Sequence, residues 1–185
     1  MKAIDVLMDE HRVIERVLDA LERAAGRLQR GESVRPGFFL DAAEFAAGFA
    51  DGCHHRKEEG VLFQEMEAYG EPARGGVIEA LVHEHVEGRA YTRELRNAAT
   101  ALERGDEAAA KRIVAAARGY AALLREHIEK EDEGVFPMAA QMIPESEHER
   151  VLARFADVER HDTGPGVHER FVELARRLEQ EAGTA

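Results

Sequence analysis

Four times along this chain, an apolar heptad seam carries a histidine where the spacing demands a core side chain. Apolar residues three and then four apart lie along one stripe of an α-helix, the stripe that bundle-forming helices bury against one another. The first seam, over about residues 2–29, reads Leu7, His11, Ile14, Leu18, Leu21, Ala25 and Leu28, and Gly31 follows as a stop. The second starts after Pro36 and reads Leu40, Ala43, Ala47, Ala50, His54, Glu58 and Val61, ending near Tyr69 and Gly70. The third, from Pro72, reads Ile78, Leu81, His85, Gly88, Thr92, Leu95, Ala99 and Leu102, with Gly105 ending it. The fourth, from about Asp106, reads Ile113, Ala116, Tyr120, Leu123, His127, Glu131, Val135 and Met138, with Pro144 beyond. Short connections rich in Gly, Pro and Ser favour antiparallel neighbours. The expected class is therefore all-α, an up-down-up-down four-helix bundle over residues 1–143. Residues 144–185 are expected to add two shorter amphipathic helices, broken by HDTGPG and packed across the bundle as a cap.

Composition narrows the function classes. Ala, Glu, Arg, Leu and Val dominate, with five Pro and no Trp, which suits helices better than sheets. A net charge of -12 repels a phosphate backbone, so nucleic acid is not an expected partner. No run approaches the ~20 apolar residues that span a bilayer, and MKAIDVLMDEHR lacks the apolar core of a signal peptide. The lone Cys53 has no internal disulfide partner, and a cytoplasmic location is expected.

The chain also repeats itself. His11 precedes His54 by 43 residues, and His85 precedes His127 by 42. HHRKEEGVLF resembles HIEKEDEGVF, so the bundle should have an approximate two-fold axis. His54 with Glu58, and His127 with Glu131, are four residues apart, which places each pair on one helix face one turn apart. Two buried, facing glutamates would repel each other and pay heavily for desolvation unless cations lay between them. A dinuclear metal site supplies that compensation. Imidazole and carboxylate without thiolate suit iron or manganese better than a structural zinc.

These motifs (DEHR at His11, HHRKEEGVLF at His54 and Glu58, EHVEGR at His85, HIEKEDEGVFP at His127 and Glu131) resemble the hemerythrin-like, or HHE cation-binding, family over residues 1 to about 143. The resemblance implies two non-haem iron ions bridged by Glu58 and Glu131 with an oxo or hydroxo group, His11 and His54 serving one iron, His85 and His127 the other. Its oxygen carriers have a second third-helix histidine four residues after the first, where this chain has Arg89. Two histidines per metal then remain, which favours reaction with peroxide or nitric oxide, or iron sensing, over reversible oxygen carriage. The leading functional expectation is a protein that binds or turns over oxygen, peroxide or nitric oxide in an oxidative or nitrosative stress response, with the redox partner unknown. The alternatives are an oxygen or iron sensor or iron-binding protein without turnover, and a bundle merely stabilised by metal.

Other polar residues carry blander expectations. His55, about 100° around the helix from His54, is expected beside the ligands or at the surface, with metal ligation the less favoured alternative. Glu59 and Asp132 should be solvated or hydrogen-bonded to a ligand histidine. His83, His148, His161 and His168 should lie at the surface, and Cys53 should be a small buried filler. Arg89 and Glu15 either pair with each other or reach separately to solvent, and Tyr120 is core. One heptad layer beside the histidines, Ile14, Ala50, Gly88 and Leu123, contains two small residues, whereas Leu7, Val61 or Leu62, Leu81 and Val135 fill the layer on the other side. A gap for a small ligand is therefore expected between Ile14 and Leu123, edged by Arg89 or Glu15.

Overall fold

The computed structural model describes residues 1–183, and every regular element among them is helical. Four long helices, α1 (Lys2–Gln29), α2 (36–68), α3 (Val77–Glu103) and α4 (109–142), are followed by α5 (148–163) and α6 (Val167–Ala182). Pro36 opens α2, where its missing N–H leaves no bond unmade. Gly31 and Gly105 end α1 and α3 in the left-handed region, at φ 78° and 93°, which only glycine adopts without strain. Each lets the next amide reach back five residues, Glu32 N to Arg27 O and Asp106 N to Ala101 O, both 3.0 Å.

Two starts fall later than the periodicity suggests. The third helix begins at Val77 and not at Pro72, because Gly70 and Gly75 turn left-handed, at φ 111° and 74°. The fourth begins at Ala109 and not at Asp106, whose carboxylate accepts the Ala108 amide at 3.1 Å in the preceding turn.

Both glutamate-bearing helices contain wide π-helical turns: α2 at Ala46–His55 and Glu58–Leu62, and α4 at Glu131–Val135. An i→i+5 bond adds a residue to the turn, so the side chains that follow rotate relative to a regular helix. The heptad seams shift accordingly. Ala46 is buried and Ala47 exposed, and in α4 the drift of a 3.6-residue turn against a seven-residue pattern buries Leu124 and leaves Leu123 half-buried.

Around the bundle, α1 packs on α4, α4 on α3 and α3 on α2, while α6 lies against both α1 and the first part of α2. α5 lies against α1 and the second part of α2, where Arg150 holds Glu65 at 2.7 and 2.9 Å. Two apolar clusters result. One contains Ile14, Ala50, Leu95, Leu124 and Phe171; the other contains Leu7, Val61, Leu62, Leu81, Val135 and Phe155. Residue numbers fall toward the second cluster in α1 and α3 and rise toward it in α2 and α4. Between the clusters every long helix contributes buried polar side chains. No described helix is long and apolar enough to cross a membrane.

Candidate metal centre

His11 on α1, His54 and Glu58 on α2, His85 on α3, and His127 and Glu131 on α4 all meet in that polar layer, each essentially without solvent exposure. Their free atoms point at one another. Glu58 lies with one oxygen 3.2 Å from His54 Nε2 and the other 3.5 Å from His85 Nε2. Glu131 Oε2 lies 3.2 Å from His11 Nε2 and 3.3 Å from His127 Nε2. Each carboxylate thus touches a histidine of its own helix, one turn away, and a histidine of a neighbouring helix.

Behind the histidines stands a second ring of acids. His11 Nδ1 is 2.8 Å from Asp132, His54 Nδ1 3.0 Å from Glu10, His85 Nδ1 2.7 Å from Glu59, and His127 Nδ1 2.8 Å from Glu84. A carboxylate can only accept, so each Nδ1 is the donor, and in the neutral ring each Nε2 is left with a lone pair directed into the cluster. That is the tautomer a metal needs. His85 and His127 bring two such Nε2 atoms to 3.1 Å. Glu59 and Asp132 thereby take the hydrogen-bonding role expected of them. Glu10 and Glu84 were not anticipated, although each is the acid of an EH pair, and the two halves match: Glu10 serves His54 as Glu84 serves His127, and Glu59 serves His85 as Asp132 serves His11.

Of the positions expected for His55, beside the ligands or at the surface, the structure shows the first. His55 is 3 % exposed, is stacked on His85 with ring centroids 3.8 Å apart and planes 10° apart, and lies within the cluster and not at the surface. The wide turns of α2 bring His55 inward together with His54. Arg89 and Glu15 do not pair. Arg89 binds Asp51 at 2.8 Å and Glu59 at 2.7 Å, and Glu15 lies 3.3 Å from Arg12.

A cavity of about 220 Å³ adjoins the layer, lined among others by His55, His85, Gly88, Arg89, Thr92 and Tyr120. Gly88 and Arg89 border it as the heptad layers suggested. Ile14, Ala50 and Leu123 do not; from α2 it is Ala46, Ala47 and Asp51 that reach it in place of Ala50. Tyr120 is buried core and forms part of its wall. His83 and His161 are exposed; His148 is half-buried, its Nε2 donating to the Ile143 carbonyl at 3.1 Å, and His168 is half-buried against Phe49.

The electrostatics call for cations. Burial and the facing Glu58 drive the Glu131 carboxyl well above its ordinary range, so the metal-free layer favours a proton there over a second negative charge. Burial opposes a charge on His54, but Glu58 and Glu10 overcome it and hold the imidazole up at about 9. Burial pushes His127 down to about 4. Both oxygens of Glu58 and Glu131, and Nε2 of His11 and His54, have no hydrogen-bond partner although fully buried. Native interiors seldom leave such atoms unmatched. Two groups, His11, His54, Glu58 and Glu131, and His55, Glu58, His85 and His127, each bring four ligating atoms within 4.8 Å of one another, which fits metal ions with Glu58 common to both.

The profile of the Hemerythrin HHE cation binding domain matches residues 2–139. The chain belongs to this family. No curated protein and no solved structure matches it. The hemerythrin match ends before α5, so the last two helices lie beyond the family's span.

Those helices make the two halves of this hemerythrin domain unequal. Lys57, fully buried, contacts Glu10 behind His54 and Glu159 on α5, with Cys53 Sγ at 3.4 Å. Its counterpart Lys130 contacts Glu84 but is 48 % exposed. Cys53, Glu10, Glu159 and His168 cluster here as well, but the Lys57 ammonium already stands among them and neutralises the acids, leaving no place for a cation. Burial pushes the Cys53 thiol up to about 11, consistent with a buried filler. Lys57→Ala would leave Glu10 buried without its ammonium and should cost about 3 kcal/mol of stability in urea denaturation. The exposed pair makes Lys130→Ala cost no more than about 1 kcal/mol. Equal losses in the two variants would show that the C-terminal helices do not seal the Glu10 side.

Proposed function

We propose that this hemerythrin-family chain holds two iron ions in an up-down-up-down bundle of its first four helices and there binds or turns over a small oxidant, dioxygen, peroxide or nitric oxide. His11 and His54 would hold one ion and His85 and His127 the other, with Glu58 and Glu131 supplying the carboxylates. The observation that carries this reading is the set of buried Nε2 and carboxylate atoms that face one another, with every one of the four histidines backed by a carboxylate at Nδ1. The alternating direction in which residues approach the two apolar clusters supports the topology. Residues 144–185 form an extension outside the metal-binding domain.

Bound iron supplies Lewis acidity and one-electron redox chemistry to whatever reaches it. The chain does the rest. Glu10, Glu59, Glu84 and Asp132 hold the imidazole protons away from the centre, and the apolar clusters on either side keep bulk water out. The cavity beside His55 and His85 has room for a molecule larger than dioxygen, with the Arg89 guanidinium at its edge as a hydrogen-bond donor.

Protein loaded with ferrous iron without air should retain about two irons per chain through desalting and change its absorption on adding oxygen, peroxide or nitric oxide. A chain that retains no transition metal would overturn the reading, and binding without turnover would make it a sensor or store. A Cβ at Gly88 meets Leu124, Tyr120 and Leu123 only at 3.6–3.9 Å, so the backbone accepts a side chain there. Gly88→Leu should therefore keep both irons, fill the cavity and slow the reaction at least about tenfold. An unchanged rate would place the route elsewhere.

A further inference from the structure

The two-ion reading assigns four histidines, two to each ion, and leaves His55 inside the same buried layer without a role. We propose that His55 is the fifth histidine ligand, bound to the same ion as His85 and His127. This rests on the two-ion reading above.

Several independent observations carry it. His55 is buried, and neither of its ring nitrogens has a hydrogen-bond partner. One ligating atom each of His55, Glu58, His85 and His127 lies within 4.8 Å of the others, a second four-donor group that shares Glu58 with the first. The surroundings of His55 also follow the pattern of the other four histidines. Its Nδ1 lies 3.5 Å from Asp51, one turn earlier on α2, which places a carboxylate on the side away from the cluster. That separation is long for a hydrogen bond and within reach of one after a small movement of the ring.

Arg89 binds Asp51 and Glu59, at 2.8 and 2.7 Å. Arg89 therefore holds the two carboxylates that lie behind His55 and His85. A ring serving only as filler in this layer would leave two polar nitrogens unsatisfied, which proteins avoid. A metal on one nitrogen and Asp51 on the other satisfies both. The ions then become unequal, with three histidines on one and two on the other, and the adjacent HH of HHRKEEGVLF carries one ligand for each.

His55 also forms part of the wall between the cavity and the cluster. Shortening it should open a hole that free imidazole can enter. In His55→Ala and His55→Gln, one of the two irons should be lost to a competing chelator at a concentration at least about tenfold lower than in the unmodified protein. Added imidazole should restore it in His55→Ala. X-ray absorption of the loaded unmodified protein should count five imidazoles per two irons. Two irons with only four imidazoles, or variants that hold both irons as tightly as the unmodified chain, would overturn this proposal and leave the two-ion reading standing. If the variants do not fold, the imidazole count decides alone. An unmodified chain without two ions would instead sink the two-ion reading itself.

Discussion

Stripping the ions from the loaded protein at neutral pH is expected to lower its melting temperature by about 10 °C or more. Glu58 and Glu131 face each other in a layer without solvent, and no lysine or arginine reaches either of them among the described contacts. With metal present their charges are matched. Without it, burial and the facing Glu58 oppose a charge on Glu131, and a charged His54 has to be held in the same desolvated layer. A ligand at a thousand times its dissociation constant contributes about 4 kcal/mol of stability. In a chain of this size each kcal/mol moves the midpoint by about 2–4 °C. Calorimetry of loaded, chelator-treated and reloaded protein measures the shift and its reversal. A midpoint that ignores the metal would mean that the buried layer is not where the ions bind.

Glu131→Gln is expected to have opposite effects on the two forms. In loaded protein it removes a carboxylate that touches His11 and His127, at 3.2 and 3.3 Å, and should weaken metal binding at least about a hundredfold, as for breaking a buried ionic contact worth about 3–5 kcal/mol. Glu58→Ala should be more severe still, since Glu58 belongs to both four-donor groups and its loss should release both ions. In metal-free protein at pH 7, Glu131→Gln should instead raise stability, by on the order of 2 kcal/mol, because an amide stays neutral without having to hold a proton. The sign has a pH signature. The folded-state pKa of Glu131 is raised, so its contribution is fully present below the ordinary carboxylate value of 4.5 and is lost as pH rises through the folded value. The advantage of Glu131→Gln in the metal-free form should therefore shrink as pH falls from 7 toward 4.5. A metal-free variant less stable than the unmodified chain at pH 7 would contradict the facing-carboxylate account.

Much of this was legible in the residue order because it depends on local geometry. A histidine at a heptad core position is buried whenever the helix packs at all, so His11, His54, His85 and His127 were visible without knowing which helix met which. The four-residue steps to Glu58 and Glu131 follow from the pitch of a single helix, and the repeated motifs tie the two halves together. The family and the helical class follow from the same motifs. Even the acids behind His11 and His85, Asp132 and Glu59, were within reach, since each directly follows a seam glutamate.

What only the tertiary structure decided were relations between helices. Glu10 backs a histidine on α2 and Glu84 one on α4, and no spacing along α1 or α3 indicates which neighbour a side chain beside the seam will meet. The wide turns of α2 turn His55 inward with His54 and carry Ala46, Ala47 and Asp51, in place of Ala50, to the edge of the cavity. Arg89, read alone, was a missing ligand; in the fold it is the group that holds Asp51 and Glu59. A heptad pattern assumes a uniform helix and specifies only which face is apolar. The rotation of each helix about its own axis is set when all the helices pack together, and that rotation determines which polar atoms meet in the buried layer.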